Sequence, residues 1–427
     1  MLDIKLFRGE QGGNPEVVRE SQRRRYADPG IVDEVIALDE LWRQQKFMVD
    51  GLRKDLNSNS KEIGKRMKAK EDASELTAKT KEIKAQIAEC EAQVIKIEEE
   101  RDTKLKSIGN LVPDSVFVSD NEDLNPVVRT WGEPKSPGGP KMNHVDLLHR
   151  IDGVEYARGV NVAGSRGYFL KGNGALLNLA LIQYGMKFLI EQDYVPIQPP
   201  YFMEKETMAK CAQLDDFDEQ LYKVSGEGGD KYLIATSEQP LCAYHLNEWI
   251  DPKTLPKKYV GFSTCFRKET GSHGRDTLGI FRVHQFEKLE QFVVTSPEDG
   301  ISWEVMDAMI ENAERFYQSL GIPYRVVNIV SGALNNAAAK KFDLEGWFPA
   351  STTYRELVSC SNCTDYQSRR LETRYGNKKM GDREKKYVHM LNSTLCATTR
   401  VICAILENYQ TDEGVQVPEV LQPYIGK

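Results

Sequence analysis

Two long heptad repeats near the start of the chain restrict its possible folds more than any other feature of the sequence. Apolar side chains recur at alternating steps of three and four residues, first between Val35 and Ile63 and then between Leu76 and Ile97. This spacing places one apolar stripe along each of two α-helices. The stripe positions are Val35, Leu38, Trp42, Gln45, Val49, Leu52, Leu56, Asn59 and Ile63, followed by Leu76, Thr80, Ile83, Ile87, Cys90, Val94 and Ile97.

The segment RMKAKEDASE, residues 66–75, separates the two repeats. Its acidic residues are typical of a helix start, and a chain reversal there would let the two stripes face each other. We therefore predict an N-terminal domain, residues 1–110, with an antiparallel coiled coil of two helices. Each helix would have about 35 residues and a length of about 50 Å.

A cluster of basic residues lies close to the predicted tip of the coiled coil. Its members are Lys61, Lys65, Arg66, Lys68 and Lys70. Charged residues on such helices usually form only a solvated surface. Contact with RNA is the other interpretation, because nucleic-acid binding depends on local clusters and not on the formal net charge, which is −7 here. The cluster alone leaves both interpretations open.

The composition is that of an ordinary globular protein. A length of 427 residues predicts two or three domains. Charged residues make up 28% and aromatic residues 9% of the chain, and no apolar run approaches the roughly 18 residues that span a bilayer. No signal-peptide pattern opens the chain. The 8 cysteines lie mostly in apolar surroundings, which favours a cytoplasmic location.

Two pairs of cysteines raise the question of metal or disulfide chemistry. Cys360 and Cys363 have the spacing of zinc ligands, but no second pair or suitably spaced histidines accompany them, so a structural role is favoured. Cys211 and Cys242 lie in two predicted helices of one domain and would pair only if those helices touch.

The rest of the chain predicts a linker and a second domain. Residues 111–145 are expected to be irregular, because GEPKSPGGPK places three prolines and paired glycines close together. In residues 146–427, helical segments alternate with β-rich ones such as KYVGFSTCFRKE and FRVHQFEKLEQFVV. Several of these strands follow one another without intervening helices, so an α+β fold with an antiparallel sheet is favoured over a doubly wound parallel one.

The two β-rich segments just quoted carry side chains suited to a nucleotide. Because side chains alternate across a strand, Arg267 and Glu269 share one face of the first, and Phe286, Lys288 and Glu290 share one face of the second. Guanidinium groups bind phosphate, and an aromatic ring covers a purine. The connection TGSHGRDTLG is longer than a tight turn requires, which is often a functional feature. A charged strand with an exposed Arg–Glu pair is the commoner alternative.

A second anion site is predicted at a helix start. In YVHMLNSTLCATTRVICAILENYQ a strand and a Ser/Thr-rich turn lead into a helix with Arg400 near its N terminus, where free amides favour anions. Upstream, Glu356 and Ser359 supply oxygen ligands of the kind that Mg²⁺ accepts beside phosphates. No GxxxxGK[ST] or GxGxxG motif appears, which excludes a P-loop or Rossmann site.

These residues carry a resemblance to class II aminoacyl-tRNA synthetases. FRKE with its loop and FRVHQFEKLE resemble motif 2, LNSTLCATTRVICAILENYQ resembles motif 3, and LALIQYGMKFLIEQDYVPIQPP resembles motif 1. Together with the N-terminal helical hairpin and TSEQP (residues 236–240), the chain is similar over its whole length to the seryl-tRNA synthetase family of eukaryotic cytosolic type. The resemblance implies an ATP-dependent serine–tRNA ligase that makes seryl-adenylate and charges tRNA(Ser), and also tRNA(Sec).

The resemblance also implies roles for individual residues. Arg267 would bind the α-phosphate of ATP and Arg400 the γ-phosphate as the catalytic pair, with Mg²⁺ on Glu356 and Ser359. The implied ATP-binding residues are Arg267, Lys268, Glu269, Val283, His284, Gln285, Phe286, Glu356, Leu357, Val358, Ser359 and Arg400. The implied serine-binding residues are Thr236, Ser237, Glu238, Arg267, Glu290, Asn392 and Thr394. Among these, Glu290 and Thr394 are expected to contact the substrate hydroxyl.

The resemblance implies partners as well. The coiled coil would bind the long variable arm of tRNA(Ser) through phosphate contacts. Motif 1 would form a homodimer interface, although a buried helix within one chain fits the same pattern.

Three other interpretations compete with a serine ligase. A noncatalytic relative of the same fold would be expected to have lost a charged catalytic position, whereas all of those named above are present. A ligase for a different amino acid would use the same nucleotide residues. A coiled-coil scaffold with a passive second domain leaves those residues unexplained.

Overall fold

The structure, a computed structural model, describes residues 1–134, 141–212, 219–226, 228–270, 279–377 and 385–425. The chain divides into two compact units, Met1–Leu111 and Val112–Lys427, which are called unit 1 and unit 2 below. None of the described helices has the length and hydropathy of a membrane-spanning segment.

Unit 1 consists mainly of two long antiparallel helices. Its helices are α1 (Pro15–Arg24), α2 (Gly30–Ala69, 40 residues) and α3 (Ser74–Ser107, 34 residues), with short 3₁₀ turns at Ile4–Phe7 and Gly9–Gln11. Val35 and Val49 of α2 and Ile83 and Val94 of α3 are buried, as the heptads predict. The Cys90 Sγ lies 3.8 Å from the Met48 Sδ across the pair. The predicted helical hairpin is therefore confirmed, and α2 is about 60 Å long.

A buried carboxylate ties the ends of unit 1 together. The Asp39 side chain accepts hydrogen bonds from Arg8 at 2.7 and 2.8 Å, and it lies 3.2 Å from Arg43 and 3.3 Å from Arg101. Asp39 is only 1% exposed. Removing one partner of a buried ion pair typically costs about 3–5 kcal/mol, so this cluster fixes the N-terminal segment against α2 and α3.

Unit 2 is built on an antiparallel sheet. The strands among its described residues are β1 (Val127–Trp131), β2 (Val154–Glu155), β3 (Phe169–Leu170), β4 (Val195–Ile197), β5 (Phe202–Glu204), β6 (Lys223–Val224), β7 (Lys231–Leu233), β8 (Trp249–Ile250), β9 (Lys257–Phe266), β10 (Gln285–Thr295), β11 (Tyr324–Asn328), β12 (Lys340–Phe348), β13 (Thr353–Asn362), β14 (Arg374–Tyr375), β15 (Lys386–Tyr387) and β16 (His389–Ala397). Eight of them form the main sheet in the order β1-β11-β12-β13-β16-β10-β9-β4, and only the β4–β9 pair is parallel. The predicted α+β class is confirmed.

The longest helices of unit 2 pack on one face of this sheet. The described helices of unit 2 are α4 (His144–Arg150), α5 (Tyr156–Ala163), α6 (Gly172–Ile190), α7 (Lys205–Cys211), α8 (Glu238–Ala243), α9 (Ile301–Ser319), α10 (Tyr366–Leu371), α11 (Thr398–Asn408) and α12 (Gln422–Ile425). Leu181 of α6, Phe316 of α9 and Ile402 of α11 are fully buried in one cluster with Leu289 and Leu395 of the sheet. On the opposite face, α8 packs against one end of β10 and β16, where the Cys242 Sγ lies 3.7 Å from the Met390 Sδ. The rest of that face forms a cavity.

The two strands that carry the first predicted phosphate site pair as expected. β9 and β10 are antiparallel, with Cys265 opposite Phe286 and Gly261 opposite Glu290. Most of their connection, residues 271–278, lies outside the described residues.

The segment predicted to be a linker differs from that expectation. Val127–Trp131 forms the edge strand β1, paired with β11. Val112 and Val116 are buried against Val327. Residues 135–140 of the segment lie outside the described residues.

Candidate functional site

The main candidate site is a cavity of about 210 Å³ in unit 2, on the sheet face opposite the cluster of Leu181, Phe316 and Ile402. Its walls come from β10, β12, β13, β16, the starts of α8 and α11, and the segment that connects β9 to β10. The lining residues are Thr236, Glu238, Arg267, Glu269, Phe281, Arg282, Val283, Phe286, Lys288, Glu290, Asn335, Lys341, Glu356, Leu357, Ser359, Ser361, Asn392, Thr394, Ala397, Thr399 and Arg400. The cavity is thus rich in charged side chains of both signs.

Arg267 follows the end of β9 and is held in place by its neighbours. Its Nε donates a hydrogen bond to the Ala235 carbonyl oxygen at 3.2 Å, and its guanidinium carbon lies 5.2 Å from the centre of the Phe286 ring. Nearby, the Glu269 carboxylate pairs with Arg282 at 3.1 Å. A guanidinium and an aromatic ring therefore stand side by side on one wall.

Arg400 occupies the first turn of α11 and reaches a different wall. Its Nη1 donates to the Glu356 carbonyl oxygen and to Glu356 Oε2, both at 3.1 Å, and its guanidinium lies 4.8 Å from the Phe281 ring centre. Desolvation raises the pKa of Glu356, but the charges of Arg400 and Lys341 lower it more, to about 2. The Glu356 carboxylate is therefore ionised at neutral pH, and 45% of its side chain is exposed.

A β-bulge brings Glu356 and Ser359 to the same cavity. Strict alternation would send these residues, three apart, to opposite faces of β13. The pairing with β12 shifts by one position, so that Val358 lies opposite Leu344 but Glu356 lies opposite Glu345. The extra residue, Leu357, reverses the alternation and turns both oxygen-bearing side chains inward.

The floor of the cavity holds a buried ion pair. Lys288 and Glu290 are 6% and 2% exposed, and the lysine ammonium bonds Glu290 Oε2. The Thr394 hydroxyl donates to the same oxygen at 3.4 Å. A second bulge makes this contact possible, because the β10–β16 pairing skips Leu395 and sets Thr394 opposite Glu290.

Glu238 adds a second carboxylate near this floor. Gln367 Nε2 donates to Glu238 Oε1 at 3.0 Å, and the Thr236 hydroxyl accepts from the Glu238 amide at 3.2 Å. Burial and the neighbouring Glu290 carboxylate raise the pKa of Glu238. Two carboxylates at this end of the cavity suit a cationic ligand such as an ammonium group.

Most of the residues named from the sequence meet in this cavity. They are Thr236, Glu238, Arg267, Glu269, Val283, Phe286, Glu290, Glu356, Leu357, Ser359, Asn392, Thr394 and Arg400. Both arginines predicted to hold phosphates are thus on its walls, although they are 133 residues apart in the sequence.

Five of the named residues do not line the cavity. Ser237 and Val358 are fully buried. His284 and Gln285 line a different cavity, and the Lys268 amide donates to the Gln220 carbonyl oxygen at 2.9 Å. Side-chain alternation along the strands explains Gln285 and Val358, because their neighbours Phe286 and Ser359 take the inward positions.

Some cavity residues were missed by the sequence interpretation. Lys288 was placed on the correct face, but it was given no role. Lys341 Nζ lies 3.3 Å from Asp343 Oδ2, and burial raises the pKa of Asp343 to about 7. Lys341 pairs with Ser361 across β12 and β13, and this register is not visible in either segment alone. Alternating polar residues in KKFDLE are the only local signal.

The arrangement suits binding of a polyphosphate beside a small cationic ligand. Among the described residues, no group of three His, Cys, Asp or Glu side chains could hold a metal ion unaided. Cys360 and Cys363, like Cys211 and Cys242, are buried and form no disulfide. A larger neighbouring cavity of about 520 Å³ shares Thr236, Glu238, Arg267 and Asn335 with the main one.

Two protein families match this chain. Residues 1–112 match the seryl-tRNA synthetase N-terminal domain, and residues 222–409 match the tRNA synthetase class II core domain (G, H, P, S and T). The cytoplasmic serine–tRNA ligase of Arabidopsis thaliana is 59% identical over 100% of this chain and 95% of its own length. The cytoplasmic serine–tRNA ligase of Dictyostelium discoideum is 57% identical over 100% of this chain and 94% of its own length.

Solved structures give the same result. A cytoplasmic serine–tRNA ligase from Naegleria fowleri in complex with AMP is 53% identical, with a TM-score of 0.90 over 100% of this chain and 97% of that one. A seryl-tRNA synthetase from Pyrococcus horikoshii complexed with ATP is 42% identical, with a TM-score of 0.92 over 100% of this chain and 98% of that one.

Proposed function

This chain belongs to the family of cytoplasmic serine–tRNA ligases, and on that premise we propose how its cavity serves the reaction. The reaction is ATP-dependent: L-serine and ATP form seryl-adenylate, and the seryl group is transferred to the 3′ end of tRNA(Ser). One observation carries the assignment of residues, namely that Arg267 and Arg400 line a single cavity together with Glu290 and Glu356. The names of the relatives support a cytoplasmic location.

In the activation step the serine carboxylate attacks the α-phosphorus of ATP. A bond forms between a carboxylate oxygen and this phosphorus, and the bond to the bridging oxygen of pyrophosphate breaks. The nucleophile belongs to the substrate, so the protein needs to orient two reactants and neutralise charge. Arg267 binds the α-phosphate at the point of attack. The adenine ring stacks on Phe286, beside Glu269 and Val283.

Arg400 binds the γ-phosphate and holds the triphosphate in a bent form. In the structure its guanidinium is occupied by Glu356 at 3.1 Å. Phosphate oxygens would replace this carboxylate, because a phosphate accepts two parallel hydrogen bonds from one guanidinium. Lys341, on the same wall, is suited to contact the β- or γ-phosphate.

Glu356 and Ser359 would hold Mg²⁺ once Arg400 turns to the phosphate. The ionised carboxylate and the hydroxyl are hard oxygen donors on one wall, which fits the ion, and phosphate oxygens would complete its coordination. Bound there, Mg²⁺ supplies neutralisation of negative charge on the phosphates. Exchange activity that survives excess EDTA would refute this assignment.

The serine pocket lies on the floor formed by Glu290, Thr394 and Asn392, with Thr236 and Glu238 beside it. Glu238 binds the substrate ammonium group, while Glu290 and Thr394 bind its hydroxyl. Lys288 pairs with the buried Glu290 carboxylate and orients it. Alanine would leave these polar groups unpaired, which is a strong basis for rejection. Threonine would be excluded by the limited space.

We further propose that unit 1 binds tRNA(Ser) through its two long helices. Lys61, Lys65, Arg66 and Lys68 lie in the last turns of α2, and Lys70 follows directly as its C-cap. Glu62 pairs with Lys65 at 3.5 Å and with Arg66 at 4.0 Å. These five cations outnumber the four nearby carboxylates, Glu62, Glu71, Asp72 and Glu75, so the tip keeps a small net positive charge that attracts phosphates.

A homodimer is proposed on the basis of an uncovered apolar surface in unit 2. Leu176, Leu179 and Ile190 of α6 are 40%, 51% and 46% exposed, and Val195 of the neighbouring edge strand β4 is 56% exposed. Apolar patches of this kind usually mark a protein interface, and an edge strand is a template for pairing. A purely monomeric protein in sedimentation equilibrium at micromolar concentration would refute the dimer.

Exchange of labelled pyrophosphate into ATP tests the proposed activation directly. Run over all standard amino acids, it should proceed with serine alone. Exchange with a different amino acid would identify a ligase of other specificity. No exchange at all would favour a noncatalytic relative that keeps the fold.

A further inference from the structure

One exposed aromatic ring stands out on the surface of unit 1. Phe47 of α2 is 83% exposed, more than any other large apolar side chain among the described residues. A phenylalanine left in water gains nothing for folding, since it buries almost no area. Its ring is therefore left available to a binding partner of unit 1.

Phe47 belongs to a regular ridge on the side of α2 opposite the apolar stripe. The ridge advances by alternating steps of four and three residues, so its members lie on one face. They are Phe47, Gly51, Lys54, Ser58, Lys61, Lys65 and Lys68, and all of them are exposed. We call this set the outer ridge; it is about 30 Å long.

The outer ridge is basic and sterically open. It carries four lysines and no acidic residue. Within the described residues, no carboxylate lies within ion-pair distance of Lys54, Lys61 or Lys68. A Cβ added at Gly51, one turn after Phe47, would meet nothing within 4 Å. The face of the Phe47 ring is therefore accessible beside a stretch of bare backbone.

The matching ridge of α3 is different. The exposed residues at the same heptad positions are Ala78, Glu82, Ala85, Glu89, Ala92, Lys96 and Glu99. This ridge has one lysine and three acids, so it offers no concentrated positive charge. Charge complementarity to a polyanion therefore singles out α2.

We propose that the outer ridge is the surface of unit 1 that contacts RNA, with the Phe47 ring stacking on an unpaired base and the lysines contacting phosphates on one side of it. Loops of folded RNA present unstacked bases, and aromatic side chains with neighbouring cations are the usual groups that bind them. The inference rests on the proposed binding of tRNA by unit 1, and it assigns the contact to one helix face and one stacking residue.

Aminoacylation of a tRNA(Ser) transcript by the full-length protein tests the stacking residue. F47A and F47L should each raise the KM for tRNA by about 10-fold, the typical value of one stacked base, with kcat and serine-dependent exchange unchanged. F47W should stay close to wild type because it keeps a ring. I95A, which removes an exposed apolar side chain from α3, is the matched control and should have no effect.

The role of the lysines in the outer ridge is tested separately, by the salt dependence of tRNA binding. K54A with K61A should reduce the slope of log Kd against log salt concentration by about 0.7–0.9 for each lysine lost. A wild-type KM for F47A, or for F47L alone, would overturn the stacking role, and an unchanged salt slope would overturn the ridge. If the wild-type protein charges tRNA while these variants behave normally, only this inference fails. If the wild-type protein lacks serine-dependent exchange, the proposed function fails instead.

Discussion

Replacing Arg267 with alanine is expected to lower kcat/KM for serine-dependent pyrophosphate exchange by about 10³-fold, the usual cost of removing a group that stabilises charge in the transition state. Negative charge accumulates on the α-phosphate when the serine carboxylate attacks. Arg267 is prepared for this role because Ala235 and the Phe286 ring fix its guanidinium before substrate arrives. In the alanine variant, water cannot replace the guanidinium, because water molecules would have to reorganise around the developing charge.

Two further variants make this result specific. Arg267→Lys keeps the positive charge but loses the planar fork, so its activity should fall between those of alanine and wild type. Arg315→Ala is the matched control, because Arg315 is exposed on α9 and bonds Gln192 away from the cavity. Exchange by Arg267→Ala within about tenfold of wild type, in a folded protein, would show that this guanidinium is not the transition-state contact.

Shortening the two long helices should separate activation from charging. Residues 49–89 can be replaced by a short Gly/Ser turn, because Met48 and Cys90 already lie side by side, 3.8 Å apart at their sulfur atoms. The Asp39 cluster that holds the start of unit 1 is kept. Exchange should stay within about twofold of wild type, since all the residues that line the cavity belong to unit 2. Charging of tRNA should fall by about 100-fold because the phosphate contacts of the basic tip are lost.

The measurement is kcat/KM for pyrophosphate exchange and for tRNA charging, both made on one preparation of the shortened protein. A full-length protein in which Lys61, Lys65, Arg66, Lys68 and Lys70 are changed to glutamine provides the control, since it keeps the helices and removes only the charge. Normal charging by the shortened protein would contradict a tRNA-binding role for this part of unit 1. Loss of exchange would instead show that unit 1 supports the cavity.

Features with a local period could be predicted from the sequence. The heptads located α2 and α3 because a 3.5-residue repeat is visible along one segment, and the buried Val35, Val49, Ile83 and Val94 follow it. Alternation likewise put Phe286, Lys288 and Glu290 on one face of β10. Residues that depend on one strand's own alternation were therefore found.

Features set by pairing between strands could not be predicted. The bulge at Leu357 determines that Glu356 and Ser359 share a wall, and the register of β12 on β13 brings Lys341 beside them. Strand β1 was interpreted as linker because it lies in a segment rich in prolines and glycines, and its five residues, all exposed, form no alternating burial pattern. Its place at the sheet edge depends on β11, nearly 200 residues away.

Titration calorimetry with ATP and with AMP, on wild type and Arg400→Ala, tests most directly whether two arginines hold opposite ends of a bent triphosphate. AMP has an α-phosphate but no γ-phosphate. We predict that Arg400→Ala weakens the Kd for ATP by about 10- to 100-fold, the value of a charge-assisted hydrogen bond, and leaves the Kd for AMP unchanged. Equal weakening of both nucleotides, or of neither, would contradict the placement of Arg400 at the γ-phosphate.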